Sequence, residues 1–133
     1  DKPAEVRIRQ VEQALREHAL EVFESSAKRL ALRLAPGTHV PAHRVMLSAP
    51  KARWGSCNQQ GEIRINWRLI HYPSACIDYV LAHEMAHLFE LNHSTRFWQR
   101  LEDFMPAYQG PHRQLQQANP ASVPLVLDGQ PLI

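Results

Sequence analysis

Two histidines four residues apart, His83 and His87, bracket a glutamate, Glu84, and a third histidine, His93, follows six positions later. On a helix, residues four apart share one face about a turn apart, so both imidazoles can reach a single ion. Glu84 is offset by one residue and can flank that ion without ligating it, taking a proton from a water that the ion acidifies. A chain that turns after Leu91-Asn92 can fold His93 back as a third ligand. Three neutral imidazoles with one position left open make the donor set of a catalytic zinc site, whereas a structural site closes with four protein ligands. In a 133-residue chain with 8 His and 9 Glu, the five-residue pattern arises by chance in about 3% of cases, and about 0.2% with a third His at one set distance. Paired histidines on a helix are often ordinary, satisfied side chains. Here Tyr79, Val80, Leu81, Ala82, Met85 and Leu88 surround them with apolar character, and burying two imidazoles and a carboxylate there costs several kcal/mol unless something pairs them. A zinc ion does so.

The spacing from His83 to His93 equals that of the metzincins, with Glu90 standing where they have glycine. The turn is therefore expected at Asn92, a residue type that tolerates left-handed conformations. The rival third ligand is Glu102, a carboxylate from the following helix, as in thermolysin-type sites. His93 is favoured because its spacing matches, while Glu102 reads as an exposed helix charge.

These residues need rigid elements to hold them. A buried helix is predicted from Pro73 or Ser74 to about Glu90, apolar nearly all round, with Asp78 close enough to its start to complement the helix dipole. Residues 3–34 repeat Val6, Val11, Leu15, Ala19, Val22, Phe23, Ala27 and Leu30 at three-to-four spacing, which predicts one long scaffold helix stopped at Ala35-Pro36-Gly37. Val45-Met46-Leu47 and the alternating Glu62–Asn66 read as strands, a hairpin or neighbours in a small antiparallel or mixed sheet, joined through turn residues from Trp54 to Gly61. Glu62–Asn66 is short and is expected at the sheet edge beside the cleft, with residues 45–49 as the second candidate. A third, closing helix runs from near Ser94 through Phe97, Trp98, Leu101 and Phe104 to a stop at Pro106. Beyond Gln109 prolines recur, with a short helical possibility at 112–118 and a surface arm over the last fifteen residues.

Arg53-Trp54-Gly55-Ser56-Cys57, Ile65-Asn66-Trp67-Arg68-Leu69, the run from Tyr79 to Leu88, Asn92-His93-Ser94 and Phe97-Trp98 together resemble the YgjP-like metallopeptidase family, a relative of the SprT-like and WLM zinc peptidases. The resemblance spans roughly residues 44–108. It implies a zincin-type α+β fold with zinc on His83, His87 and His93 and Glu84 as catalytic base. Family members usually carry a further N-terminal β-rich segment that is not found in this sequence, either removed or absent in this protein; the chain opens Asp1-Lys2-Pro3, which suits a trimmed chain or a piece of a longer protein. Trp54 and Trp67 read as core aromatics, Cys57 as a buried thiol rather than an inhibitory zinc ligand, and Arg53 as an exposed guanidinium. Phe97 and Trp98 are expected to pack under His93.

Composition narrows the function classes. The apolar fraction is 44%, the charged fraction 21% and the net charge +2, which is ordinary globular composition. The 12 arginines and 3 lysines are spread along the chain, so charge gives little support to a nucleic-acid partner. No apolar run approaches the ~18 residues of a membrane span. The two cysteines, Cys57 and Cys76, form no framework or Cys-x-x-Cys pair, which suits reduced thiols and a cytoplasmic location. The expected organisation is a catalytic domain over residues 1–108 and a C-terminal arm over 109–133, in a monomer that cleaves a peptide or protein substrate with zinc. Two other readings stand beside it. One is a zinc hydrolase of a nucleotide phosphoanhydride, its arginines binding phosphate; the other is a non-catalytic binding module on a zinc-stapled scaffold, for which Glu84 has no use.

Overall fold

The computed structural model describes residues 3–50, 52–118, 124–125 and 130–131. The expected long amphipathic run forms α1 (Ala4–Leu34), with Pro3 as N-cap. Its second half supplies the packing face: Ala19, Phe23, Ala27 and Leu30 are buried, whereas Val6 and Val11 are 36% and 48% exposed. The apolar stripe thus extends past the core it was expected to cover. Further along, Arg16 lies over the Trp67 ring at 4.8 Å and pairs with Glu12 at 2.9 Å.

Three strands follow: β1 (Arg44–Ser48), β2 (Gly55–Cys57) and β3 (Glu62–Asn66). Their spatial order is β1-β3-β2, with β1 parallel and β2 antiparallel to β3. The sheet is therefore mixed, and two expectations are corrected. β3 is paired on both sides and is not an edge strand, and the strand beside the α2 carboxylate described below is β2, neither β3 nor β1. Alternation in β3 reports that Ile63 and Ile65 face the core, both 0% exposed; it carries no information on how many neighbours the strand has. Between β2 and β3 the chain turns through Asn58, whose Oδ1 accepts from the N–H groups of Gln60 and Glu62. Gly61 sits there at φ +77, where a Cβ would strike the Ala42 carbonyl.

A 3-10 turn (Trp67–His71) leads into α2 (Ser74–Ala86). Asn66, fully buried, organises this corner. Its Nδ2 donates to the carbonyls of Pro50 and Arg53, and its Oδ1 accepts from the Arg68 N–H. The loop entering β2 is thereby tied to the end of β3. α2 is buried as its composition predicts: Leu81, Ala82, Met85 and Ala86 are all 0% exposed, each large side chain contributing about 1.5–3 kcal/mol. Asp78 acts across helices rather than on the dipole of its own, accepting from Ser26 Oγ at 2.6 Å and from the Arg29 guanidinium at 3.1 Å. α3 (Thr95–Phe104) starts at Ser94, whose hydroxyl accepts from the Phe97 N–H.

α4 (Gln109–Gln116) packs on α2 through Leu115, 6% exposed. β4 (Pro124–Leu125) and β5 (Gln130–Pro131) pair antiparallel in a separate two-stranded ribbon. The rest of the last fifteen residues, where a surface arm was expected, lies outside the described residues. No helix among the described residues is long and apolar enough to cross a membrane.

Candidate metal centre

α2 presents His83 and His87 one turn apart, their ring centroids separated by 5.1 Å. The helix does not end in a left-handed residue; among the described residues no non-glycine has positive φ. Instead the N–H groups of His87, Leu88 and Phe89 bond three residues back, to Glu84, Met85 and Ala86. That tightened end replaces the turn expected at Asn92 and explains why no glycine is needed at Glu90. The chain then returns so that the His93 ring lies 5.3 Å from His83 and 4.9 Å from His87. Each of the three histidines offers a nitrogen, and these atoms lie within 4.8 Å of one another. Glu102 is exposed on α3 and is not part of this cluster.

The donor chemistry suits a borderline-soft divalent metal. His87 Nδ1 lies 3.0 Å from the Glu90 carbonyl, and His83 Nδ1 lies 3.2 Å from Glu84 Oε2. A ring that donates from Nδ1 keeps its Nε2 lone pair for an ion. Burial, then the neighbouring His83 and His87, pushes the His93 pKa down, which favours the neutral ring that a metal requires. Phe97, 0% exposed, lies beneath all three, with ring centroids 5.0, 4.5 and 4.9 Å from His83, His87 and His93. Trp98 adds a second ring, 6.1 Å from His93.

Glu84 is 6% exposed in the same helix. A carboxylate buried that far is costly without partners, yet among the described residues its hydrogen-bond contact is with His83. β2 leaves space for it. A Cβ on Gly55 would sit 3.0 Å from Glu84 Cγ, 3.1 Å from Oε2 and 3.0 Å from Val80 Cγ1. Any larger residue here would press on the carboxylate, which would have to give by a few tenths of an ångström. Cys57, two residues along the strand, lies outside the histidine cluster; burial, and then the Glu84 charge, pushes its thiol up to about 11. It remains a protonated thiol at neutral pH, with Sγ 3.6 Å from the Asn58 carbonyl.

Two cavities flank the histidines. One of about 340 Å³ is bounded by Arg53, Trp54 and Gly55 on the sheet side and by Tyr79, Val80, His83 and Glu84 of α2. The other, about 290 Å³, lies at His87 between the Asn58–Gly61 turn and the Phe89–Leu91 segment. Trp54 is thus a cavity wall as well as a packing residue, in edge contact with Tyr72 at 4.9 Å, while Trp67 is a core residue, 1% exposed. Sequence reasoning gave Tyr79 no role in the site and read α4 only as a short helical possibility at 112–118. Tyr79 was within reach of it, being one turn before His83 on the same face.

The profile of the family described as "YgjP-like, metallopeptidase domain" matches residues 1–118 of the chain. Among curated proteins, none matches. Similar solved structures include two metallopeptidase zymogens. The metallopeptidase zymogen of Pyrococcus abyssi abylysin is 20% identical, covering 79% of this chain and 92% of its own at a TM-score of 0.52. The metallopeptidase zymogen of Methanocaldococcus jannaschii jannalysin is 14% identical, covering 71% and 94% at a TM-score of 0.58. At these identities the likeness speaks for the fold alone.

Proposed function

The chain belongs to the YgjP-like metallopeptidase family, and from that premise we propose that it hydrolyses peptide bonds with zinc held by His83, His87 and His93 and with Glu84 as general base. The observation that carries this reading is the convergence of three imidazole nitrogens within 4.8 Å beside a buried carboxylate. Zinc in that place supplies Lewis acidity toward water and toward a scissile carbonyl. The chain's own residues do the rest. Glu84 accepts the proton of the attacking water on its carboxylate and returns it to the leaving amine. Phe97 and the tightened end of α2 hold the rings in one arrangement, and the buried body of α2 keeps the carboxylate from drifting.

β2 offers the substrate a place to lie. The Asn66 N–H donates to the Trp54 carbonyl and the Asn58 N–H to the Glu62 carbonyl. Alternation in an antiparallel pair then turns the backbone groups of Gly55 and Cys57 toward the free side of the strand. An extended peptide can pair with them, with one cavity on each side of the histidines for its side chains. The phosphoanhydride reading finds less: among the described residues lining the larger cavity Arg53 is the basic one, and Glu84 opposes a phosphate there.

Two outcomes follow. Zinc-loaded protein should cleave members of a randomised peptide library, lose that activity to a chelator and regain it with one equivalent of zinc, as read by mass spectrometry. Release of phosphate from nucleoside triphosphates with no peptide cleaved would replace this reading by the phosphoanhydride one. Gly55→Ala should keep the fold and the metal but displace Glu84 by its added methyl, lowering kcat/KM roughly 10- to 100-fold. An unchanged kcat/KM would show that the close approach of β2 to Glu84 has no part in catalysis.

A further inference from the structure

The larger cavity has a wall that belongs neither to the histidine cluster nor to the sheet. Leu115 of α4 and Ala118 just after it line that cavity together with Trp54, Gly55 and Val80. α4 is fastened to α2 beside it. The Tyr79 hydroxyl lies 2.5 Å from His112 Nδ1, and Cys76 Sγ lies 3.4 Å from Gln114 Oε1. Burial pushes the Tyr79 pKa up and the His112 pKa down, so a neutral phenol donates to a neutral ring. The His112 ring also meets Trp98 edge-on at 5.8 Å, which links α4 to the helix that carries the floor of the histidine cluster.

The lining decides what can enter. Its volume of about 340 Å³ lies at the lower end of the roughly 300–1,000 Å³ of ligand pockets, enough for one large side chain. Trp54, Val80, Leu115 and Ala118 supply apolar walls, and Gly55 leaves the floor open. An acidic side chain would meet Glu84, buried at the cavity's inner wall, as a like charge, with only the exposed Arg53 to offset it. A basic one would pair with Glu84 and occupy the group that must accept a proton. An apolar one has no polar group of its own to desolvate on entry and gains contact with the apolar walls.

We propose that this cavity is a specificity pocket for a bulky apolar side chain, of the Leu, Met or Phe class, on a residue flanking the scissile bond, and that Leu115 and Ala118 set its size. The inference rests on the peptidase reading above. α4 is then part of the substrate site, not an appendage to the catalytic domain.

The test uses the zinc-loaded chain and a peptide library randomised on both sides of the cut. One flanking position should favour Leu, Met and Phe over Asp, Lys and Gly by roughly 10- to 200-fold in kcat/KM. Ala118→Leu should move that preference toward smaller residues and Leu115→Ala toward larger ones, each changing the ratio by about tenfold. A second readout is independent of turnover. In metal-free protein, the methyl NMR signals of Leu115 and Ala118 should respond to capped Ala-Ala-Leu-Ala and not to the same peptide with Asp in place of Leu. Cleavage without side-chain preference, or with a preference that neither variant moves, overturns the pocket and leaves the peptidase reading intact. A selective methyl response without any cleavage supports the pocket and removes the peptidase reading. Absence of both overturns the two together.

Discussion

Glu84→Gln should leave zinc content and thermal stability where they are and lower peptide hydrolysis by the ~10²–10⁴ typical of a lost general base. Glutamine keeps nearly the same volume, so the close packing of Glu84 against Gly55 and Val80 is preserved, and the amide oxygen can still face His83 Nδ1, 3.2 Å away in the parent. What it cannot do is take a proton from water. Metal content, melting temperature and turnover measured on one preparation separate the roles of this residue. Loss of zinc would make Glu84 a ligand, loss of stability would make it structural, and full zinc with undiminished turnover would remove it from the mechanism.

His93→Ala should release zinc, with an apparent affinity reduced by more than the ~10–100-fold that accompanies loss of a residue merely supporting a ligand. The side chain is exposed, so the fold has little reason to respond. Glu102→Ala should leave zinc affinity unchanged, since that carboxylate lies exposed on α3, outside the cluster. Competition against a chromophoric chelator reads both variants. The reverse ranking would transfer the third-ligand role to Glu102 and require α3 to rotate.

The helices were legible because their signals are local. A proline or serine start, an apolar face and a proline stop can each be read from neighbouring residues; α1 and α3 lie where those signals put them, and α2 starts where expected but ends at Ala86 rather than near Glu90. The three histidines were legible for a similar reason: the first two are positioned by helix geometry and the third by a short return. Strand order was not, because it depends on pairings between segments that the chain brings together only once folded. Gly55-Ser56-Cys57 has the composition of a turn, and its glycine is there because Glu84 needs the space; that reason lies 29 residues further along the chain. α4 was legible only as a short helical possibility at 112–118, for want of hydrophobic periodicity. Its residues QGPHRQLQ offer Leu115 as the single strongly apolar anchor, and the tie from His112 to Tyr79 is a tertiary contact that no local pattern announces. The extent of the exposed start of α1 was equally unreadable, since an amphipathic stripe does not say how far its partner surface reaches.

The central claim is that three side chains of this chain hold zinc beside a free carboxylate. Anomalous diffraction at the zinc edge from crystals of the zinc-loaded protein tests it most directly. The account predicts one peak per chain, with nitrogens of His83, His87 and His93 at roughly 2.0–2.1 Å and the Glu84 carboxylate unbonded next to it. A peak ligated by Glu102, Glu84 or Cys57 in place of one of these histidines, or no peak at the cluster, would contradict it.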